Sequence, residues 1–84
     1  MIRKNWTEIP YDEMTKEEIE ARDTLLKLGD ILVKFRNGVI SSMEAKLEVL
    51  ELQEEDNWES FEAAMNELNK KDFLQIINLL EVEG

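Results

Sequence analysis

Apolar residues recur at the helical period through the second half of the chain. Met43, Leu47 and Leu50 follow the spacing i, i+4, i+7, which places them on one face of an α-helix. A second stripe with helical spacing consists of Trp58, Phe61, Met65 and Leu68. The two stripes predict helices near 42–54 and 57–69, the second starting at a capping box of Asp56 and Glu59. No glycine or proline separates them, so a single long, bent helix is the alternative.

Capping signals place the other two helices. Thr15 and Glu18 form a capping box, and apolar residues continue at helical spacing until Asn37 and Gly38, which predicts a helix near 16–37. Ser41 and Glu44 form a further box that opens the helix near 42–54. Gly29 lies inside the first helix, where a missing side chain would let another helix approach closely.

The last predicted helix spans 73–81, with Asp72 as its N-cap. It is apolar on nearly every side, a pattern typical of a helix that lies in the core or is covered by a partner. Before the first helix, Pro10 disfavours helical backbone at Ile9. Residues 1–14 are therefore expected to form an extended arm that Trp6, Ile9 and Tyr11 hold against the helices.

The fold prediction is an all-α, small four-helix domain at 15–84 behind an extended N-terminal arm at 1–14. Its helices are expected near 16–37, 42–54, 57–69 and 73–81. The predicted core consists of Leu25, Leu28, Leu32, Phe35, Leu47, Leu50, Trp58, Phe61, Met65, Leu68, Phe73, Ile76, Ile77 and Leu80.

The charge of the chain restricts its partners. Twenty acidic residues face ten basic ones, giving a net charge of −10 with no histidine. Binding to nucleic acid requires Lys and Arg on the phosphates, so we expect neither direct nucleic-acid binding nor binding to a membrane. A partner should be a protein with a basic surface. The absence of cysteine is consistent with a cytoplasmic location, and a homodimer is a further option.

The sequence predicts no enzyme, cofactor or metal site. Histidine and cysteine supply the commonest bases, thiol nucleophiles and soft metal ligands, and both are missing. Three scattered glycines do not form a phosphate-binding loop. Acidic residues at helical spacing usually form a solvated surface.

The segment from Asn37 to Glu44 resembles the second half of an EF-hand calcium loop, with Gly38 at the glycine position and Glu44 at the final bidentate position. The first two ligand positions would then fall on Val33 and Phe35, whose side chains carry no oxygen. Calcium binding is therefore not expected, and the simpler interpretation is a helix end followed by a capped helix start.

The functional prediction rests on acidic residues that recur along the two middle helices. The candidate partner-binding residues are Glu44, Glu48, Glu51, Glu55, Glu59, Glu62 and Trp6. Residues three or four apart on a helix lie about 5–6 Å from each other, a step comparable to that of a phosphate backbone. This pattern favours a small inhibitor or regulator of a basic partner, acting as a nucleic-acid mimic. The alternative is an assembly or adaptor protein that dimerises or docks through its apolar last helix and aromatic arm.

Overall fold

The computed structural model describes residues 1–83 and contains four α-helices, with no strand in that range. The helices are α1 (Lys16–Arg36), α2 (Ser42–Glu55), α3 (Trp58–Glu67) and α4 (Lys70–Leu80). The predicted all-α, four-helix domain is confirmed. The second and third helices are separate, because the backbone is extended at the two residues between them. None of these helices is long and apolar enough to cross a membrane.

The first two helices start at the predicted capping boxes. Thr15 Oγ1 accepts a hydrogen bond from the backbone N–H of Glu18 at 3.2 Å, and the Glu18 carboxylate accepts one from the N–H of Thr15 at 2.8 Å. Ser41 and Glu44 exchange the same pair of bonds at 3.1 and 3.2 Å. In each box two backbone donors that the first turn leaves free find an acceptor.

The predicted caps of the last two helices, Asp56 and Asp72, are wrong. Asn57 caps α3 by accepting a hydrogen bond from the N–H of Glu59. Asn69 caps α4 through the N–H of Asp72, so α4 begins three residues earlier than predicted. Asparagine and aspartate are about equally good caps. The aspartate at 56 is instead engaged by Thr24 of α1, a contact that local sequence does not reveal.

Gly38 ends α1 in the left-handed conformation, with φ of 73°. Its N–H donates to Phe35 O at 3.1 Å, and the N–H of Val39 donates to Lys34 O at 2.8 Å. This pair of bonds is the Schellman arrangement that satisfies the last carbonyl groups of a helix. The chain then turns so that α2 packs against α1.

The helices enclose one apolar core, with α1 against α2 and α3, and α2 against α4. Six of its buried members were outside the predicted core: Ile31, Ala45, Val49, Leu52, Ala64 and Leu79. Of the predicted core residues, Leu28, Leu32, Phe61, Met65 and Ile76 are buried. A further six pack against them while partly exposed: Leu25, Phe35, Leu68, Phe73, Ile77 and Leu80.

Three predicted core residues are misplaced. Leu47 and Trp58 are 56% and 62% exposed, and Leu50 is only half-buried. On α2 the buried stripe is Ala45, Val49 and Leu52. Residues two positions apart point to nearly opposite sides of an α-helix, so the stripe containing Leu47 faces outward when the stripe containing Ala45 faces the core.

The N-terminal arm is not extended throughout, because it contains two single turns of 3-10 helix, Trp6–Glu8 and Tyr11–Glu13. Its start is fastened to α1 by Arg3. The guanidinium of Arg3 donates to the carboxylate of Glu18 at 2.7 and 3.1 Å, and the backbone N–H of Arg3 donates to the same group at 2.9 Å.

Gly29 does not mark a close approach between helices. A β-carbon built on it would have no heavy atom within 4 Å apart from its chain neighbours and the backbone of its own helix. Gly29→Ala should therefore raise the free energy of unfolding by about 1 kcal/mol, since alanine loses less backbone entropy in a helix. Urea unfolding followed by circular dichroism measures the change.

Gly38→Ala is the matched control, because its positive φ strains any residue with a β-carbon. It should lower the free energy of unfolding by about 1–2 kcal/mol. A loss of stability in Gly29→Ala would show that the sequence-based expectation of a close helix contact is right after all.

Candidate functional site

The predicted acidic residues of α2 differ in what they contact. Glu44 is exposed, but its carboxylate accepts from the N–H of Ser41 and so caps its own helix. Glu48 lies 3.0 Å from Lys34 of α1. That hydrogen bond, partly opposed by burial, raises the pKa of Lys34. Both glutamates therefore make contacts within the fold, Glu44 with the start of its own helix and Glu48 with α1.

Glu51 and Glu55 line a concavity of about 220 Å³ between α1 and α2. Lys27 and Asp30 lie on its α1 side. Lys27 is paired with Asp23, one helical turn earlier, at 3.2 Å, and that pairing raises the pKa of Lys27. The two glutamates are exposed, and no lysine or arginine nitrogen of residues 1–83 lies within 4.0 Å of their carboxylate oxygens.

The acidic residues of α3 lie at a different concavity. Glu59 and Glu62 line it together with Ile2 of the arm, Trp58 and Asn66. The Glu59 carboxylate accepts a hydrogen bond from the backbone N–H of Ile2 at 2.8 Å. The carboxylate of Glu62 accepts no hydrogen bond and has no ion pair among the described residues. Five of the six predicted glutamates thus line two separate concavities instead of one continuous ladder, and Glu44 lines neither of them.

Asp56 lies in the sequence between the glutamates of α2 and those of α3. Burial raises the pKa of its carboxyl, and the nearby acids Glu20 and Asp23 act in the same direction. The hydroxyl of Thr24 donates to the carboxylate, which opposes the rise. Asp56 therefore serves to join α2 to α1 and is not free to meet a partner.

Trp6 is not an exposed anchor. Its side chain is 5% exposed, so it offers almost no surface to a partner. Trp6 is the first residue of the first 3-10 turn in the arm and is the buried residue of that turn. This burial is against its place among the partner-binding residues and agrees with the other expectation for it, that it holds the arm against the helices.

Sequence reasoning missed an apolar groove between α3 and α4, which we call the α3–α4 groove. Its volume is about 230 Å³, and six of its nine lining residues are apolar. The apolar six are Trp58, Phe61, Met65, Phe73, Ile77 and Leu80, and the polar three are Gln53, Glu62 and Asn66.

Trp58 is the most exposed apolar side chain of this groove and stacks on Phe61, with ring centroids 6.2 Å apart. The sequence assigned it to the core because it shares a helical stripe with Phe61. Trp58 is the first residue of α3, where the stripe leaves the core. The signal that could have indicated the groove was the apolar second part of α4, where six of the eight residues Phe73–Leu80 are apolar.

No group of three or more carboxylates within residues 1–83 is arranged to hold a metal ion. All buried side-chain polar atoms in this range have a hydrogen-bond partner.

The fold and these surfaces define a small all-α domain with an acidic exterior and one apolar groove. Comparison with protein-family models, with characterised proteins and with solved structures finds no match.

Proposed function

We propose that the protein is a small acidic interaction module that binds a partner protein with a basic surface and thereby inhibits or regulates it. The observation that supports this concerns the exposure and the ion pairing of the side chains of Glu51, Glu55 and Glu62. All three are exposed, and within residues 1–83 none forms an ion pair, with no lysine or arginine nitrogen within 4.0 Å of a carboxylate oxygen.

Exposed carboxylates of this kind attract a basic partner through their number and their combined electrostatic field. An exposed ion pair contributes under about 1 kcal/mol and is screened by salt, so no single glutamate holds a partner. A net charge of −10 raises the rate of encounter with a basic surface. One form of such inhibition is nucleic-acid mimicry, in which the carboxylates occupy a groove that normally receives phosphates.

Charge reversal tests the proposal. The variant Glu51→Lys/Glu55→Lys/Glu62→Lys should lose at least about tenfold in affinity for a partner recovered by low-salt affinity capture, because attraction becomes repulsion. Folding should survive, since all three side chains are exposed. Affinity is measured by titration at two salt concentrations, and the salt dependence should also become weaker.

The control is Glu8→Lys/Asp12→Lys/Glu83→Lys, which changes the net charge equally at exposed positions elsewhere. It should leave the affinity within about twofold of the original. Equal losses in the two variants would mean that only net charge matters. Unchanged binding in the first variant would reduce the acidic surface to a solvated one. If the partner binds nucleic acid, the original protein should displace it.

The second candidate is an assembly or adaptor protein that docks through its last helix. The α3–α4 groove favours it, because α4 contributes apolar side chains to a surface that is open to solvent. Of the aromatic residues of the arm, Trp6 is buried and Tyr11 is exposed, so only Tyr11 could take part in such docking. Binding that is insensitive to salt would favour docking through the groove over the acidic surface.

A further inference from the structure

The α3–α4 groove has the size and lining of a site for side chains and not for a free small molecule. Its volume of about 230 Å³ is below the roughly 300–1,000 Å³ of small-molecule pockets. Most of its lining is apolar, and the exposed indole of Trp58 forms part of the wall. Large, solvent-exposed aromatic side chains of this kind are enriched among the residues that dominate binding energy at protein interfaces.

The walls of the groove determine which kind of peptide it accepts. They are α-helices, mainly α3 and α4 with Gln53 from α2, and no strand edge is present in residues 1–83, so an added β-strand would have no backbone partner. An amphipathic helix can instead lay its apolar stripe between two helices. The eleven residues of α4 extend over about 16 Å, a length that three turns of a partner helix would cover.

The charge around the groove determines which charge the polar side of the partner helix should carry. Glu62 lies on its rim, and none of its lining residues is a lysine or arginine. Glu62 also borders the neighbouring concavity with Glu59. A partner helix with lysine or arginine beside its apolar stripe meets attraction at this rim. A second copy of this chain would instead bring together two molecules that each carry −10.

We propose that the α3–α4 groove binds a basic, amphipathic α-helix of a partner protein, with Trp58 as the principal apolar contact and Glu62 as the acidic rim. This inference rests on the proposed function, which supplies a basic partner, and names the element of the partner that is bound. The apolar stripe of that helix fills the groove, while its basic residues face Glu62 and Glu59 of α3.

The test uses a synthetic helical peptide of about 14 residues, built from leucine, alanine and lysine, with leucines at i, i+3, i+4 and i+7. A scrambled peptide of the same composition lacks the stripe. Calorimetric titration should show that the full chain binds the first peptide at least about tenfold more tightly than the scrambled one. Trp58 fluorescence should shift to shorter wavelength as the peptide excludes water from the indole.

The variants separate the groove from general charge attraction. Trp58→Ala should weaken binding of the peptide by about tenfold or more. Leu26→Ala should leave it unchanged, because Leu26 is an equally exposed apolar residue outside the groove. Equal affinity for both peptides, an unchanged affinity in Trp58→Ala, or no spectral shift in the original protein would each overturn the proposal.

Two further results separate the groove proposal from the proposed function on which it rests. A dimer that Trp58→Ala converts to a monomer, measured by sedimentation, would identify a second copy as the occupant and overturn the proposed partner helix. If Trp58→Ala keeps full affinity for the captured partner while reversal of Glu51, Glu55 and Glu62 abolishes it, the groove assignment falls and the proposed function stands.

Discussion

Ile76→Ala should lower the free energy of unfolding by about 2–5 kcal/mol, the usual cost of truncating a large buried aliphatic side chain. Ile76 is fully buried and belongs to the core cluster that all four helices build. A chain of 84 residues buries a limited core, so its total stability is small. The variant should therefore be partly unfolded at 37 °C, as measured by urea and thermal unfolding.

The adjacent residue supplies a control for this prediction. Ile77 is half-buried and lines the α3–α4 groove, so Ile77→Ala should cost clearly less stability than Ile76→Ala. Both changes remove the same atoms from the same helix, which cancels any difference in helix propensity. Equal losses would contradict the assignment of Ile77 to an open groove.

The sequence predicts where a helix begins when the signal is local. The boxes at Thr15 and Ser41 are confirmed because each consists of two residues three apart, and both hydrogen bonds form within one turn. The start of α3 is different. Asp56 has the right chemistry for a cap, but Thr24, far away in the sequence, donates to its carboxylate, and the next residue becomes the cap.

The wrong choice of stripe on α2 has a similar origin. Two apolar stripes run along this helix, one with Leu47 and one with Val49, and both have helical spacing. Periodicity shows that a helix is amphipathic but does not say which of two stripes faces the core. The choice depends on where α1 and α4 pack, and small residues such as Ala45 allow that close packing.

The candidate site could be predicted only in part for the same reason. The glutamates of α2 and α3 were identifiable from composition and spacing, and most of them are exposed. The intramolecular partners of these glutamates were not identifiable from the sequence. Lys34 of α1 contacts Glu48 of α2, and Ile2 of the N-terminal arm donates to Glu59 of α3. The apolar residues of α4 indicated a surface that needs covering, but the groove itself forms only where residues of separate helices come together.

Glu18→Gln should detach the N-terminal arm and lower the melting temperature by more than about 10 °C. The Glu18 side chain has no exposed surface. Its carboxylate accepts hydrogen bonds from the guanidinium and N–H of Arg3 and from the N–H of Thr15. A glutamine there keeps the shape, but its NH₂ group points at donors and leaves at least one of them without an acceptor.

The pH dependence of this variant identifies the carboxylate as the cause. The hydrogen bond from the Arg3 side chain outweighs burial and, together with the N–H donors of Thr15 and Arg3, holds the pKa of Glu18 well below its usual range. A lowered folded-state pKa stabilises the native state above the unfolded pKa of about 4.3, and this contribution is lost as the pH falls toward the folded value. The original protein should lose stability below about pH 4 more steeply than Glu18→Gln.

Glu67→Gln serves as the control, because it makes the same chemical change at an exposed residue with no ion pair in the described chain. It should retain the melting temperature and the acid sensitivity of the original protein. Melting curves at pH 3, 5 and 7 decide the matter. If the difference between Glu18→Gln and the original is as large in acid as at neutral pH, the ion pair with Arg3 does not stabilise the arm. If it narrows in acid, the charged carboxylate of Glu18 holds the arm, and with it Trp6, on α1.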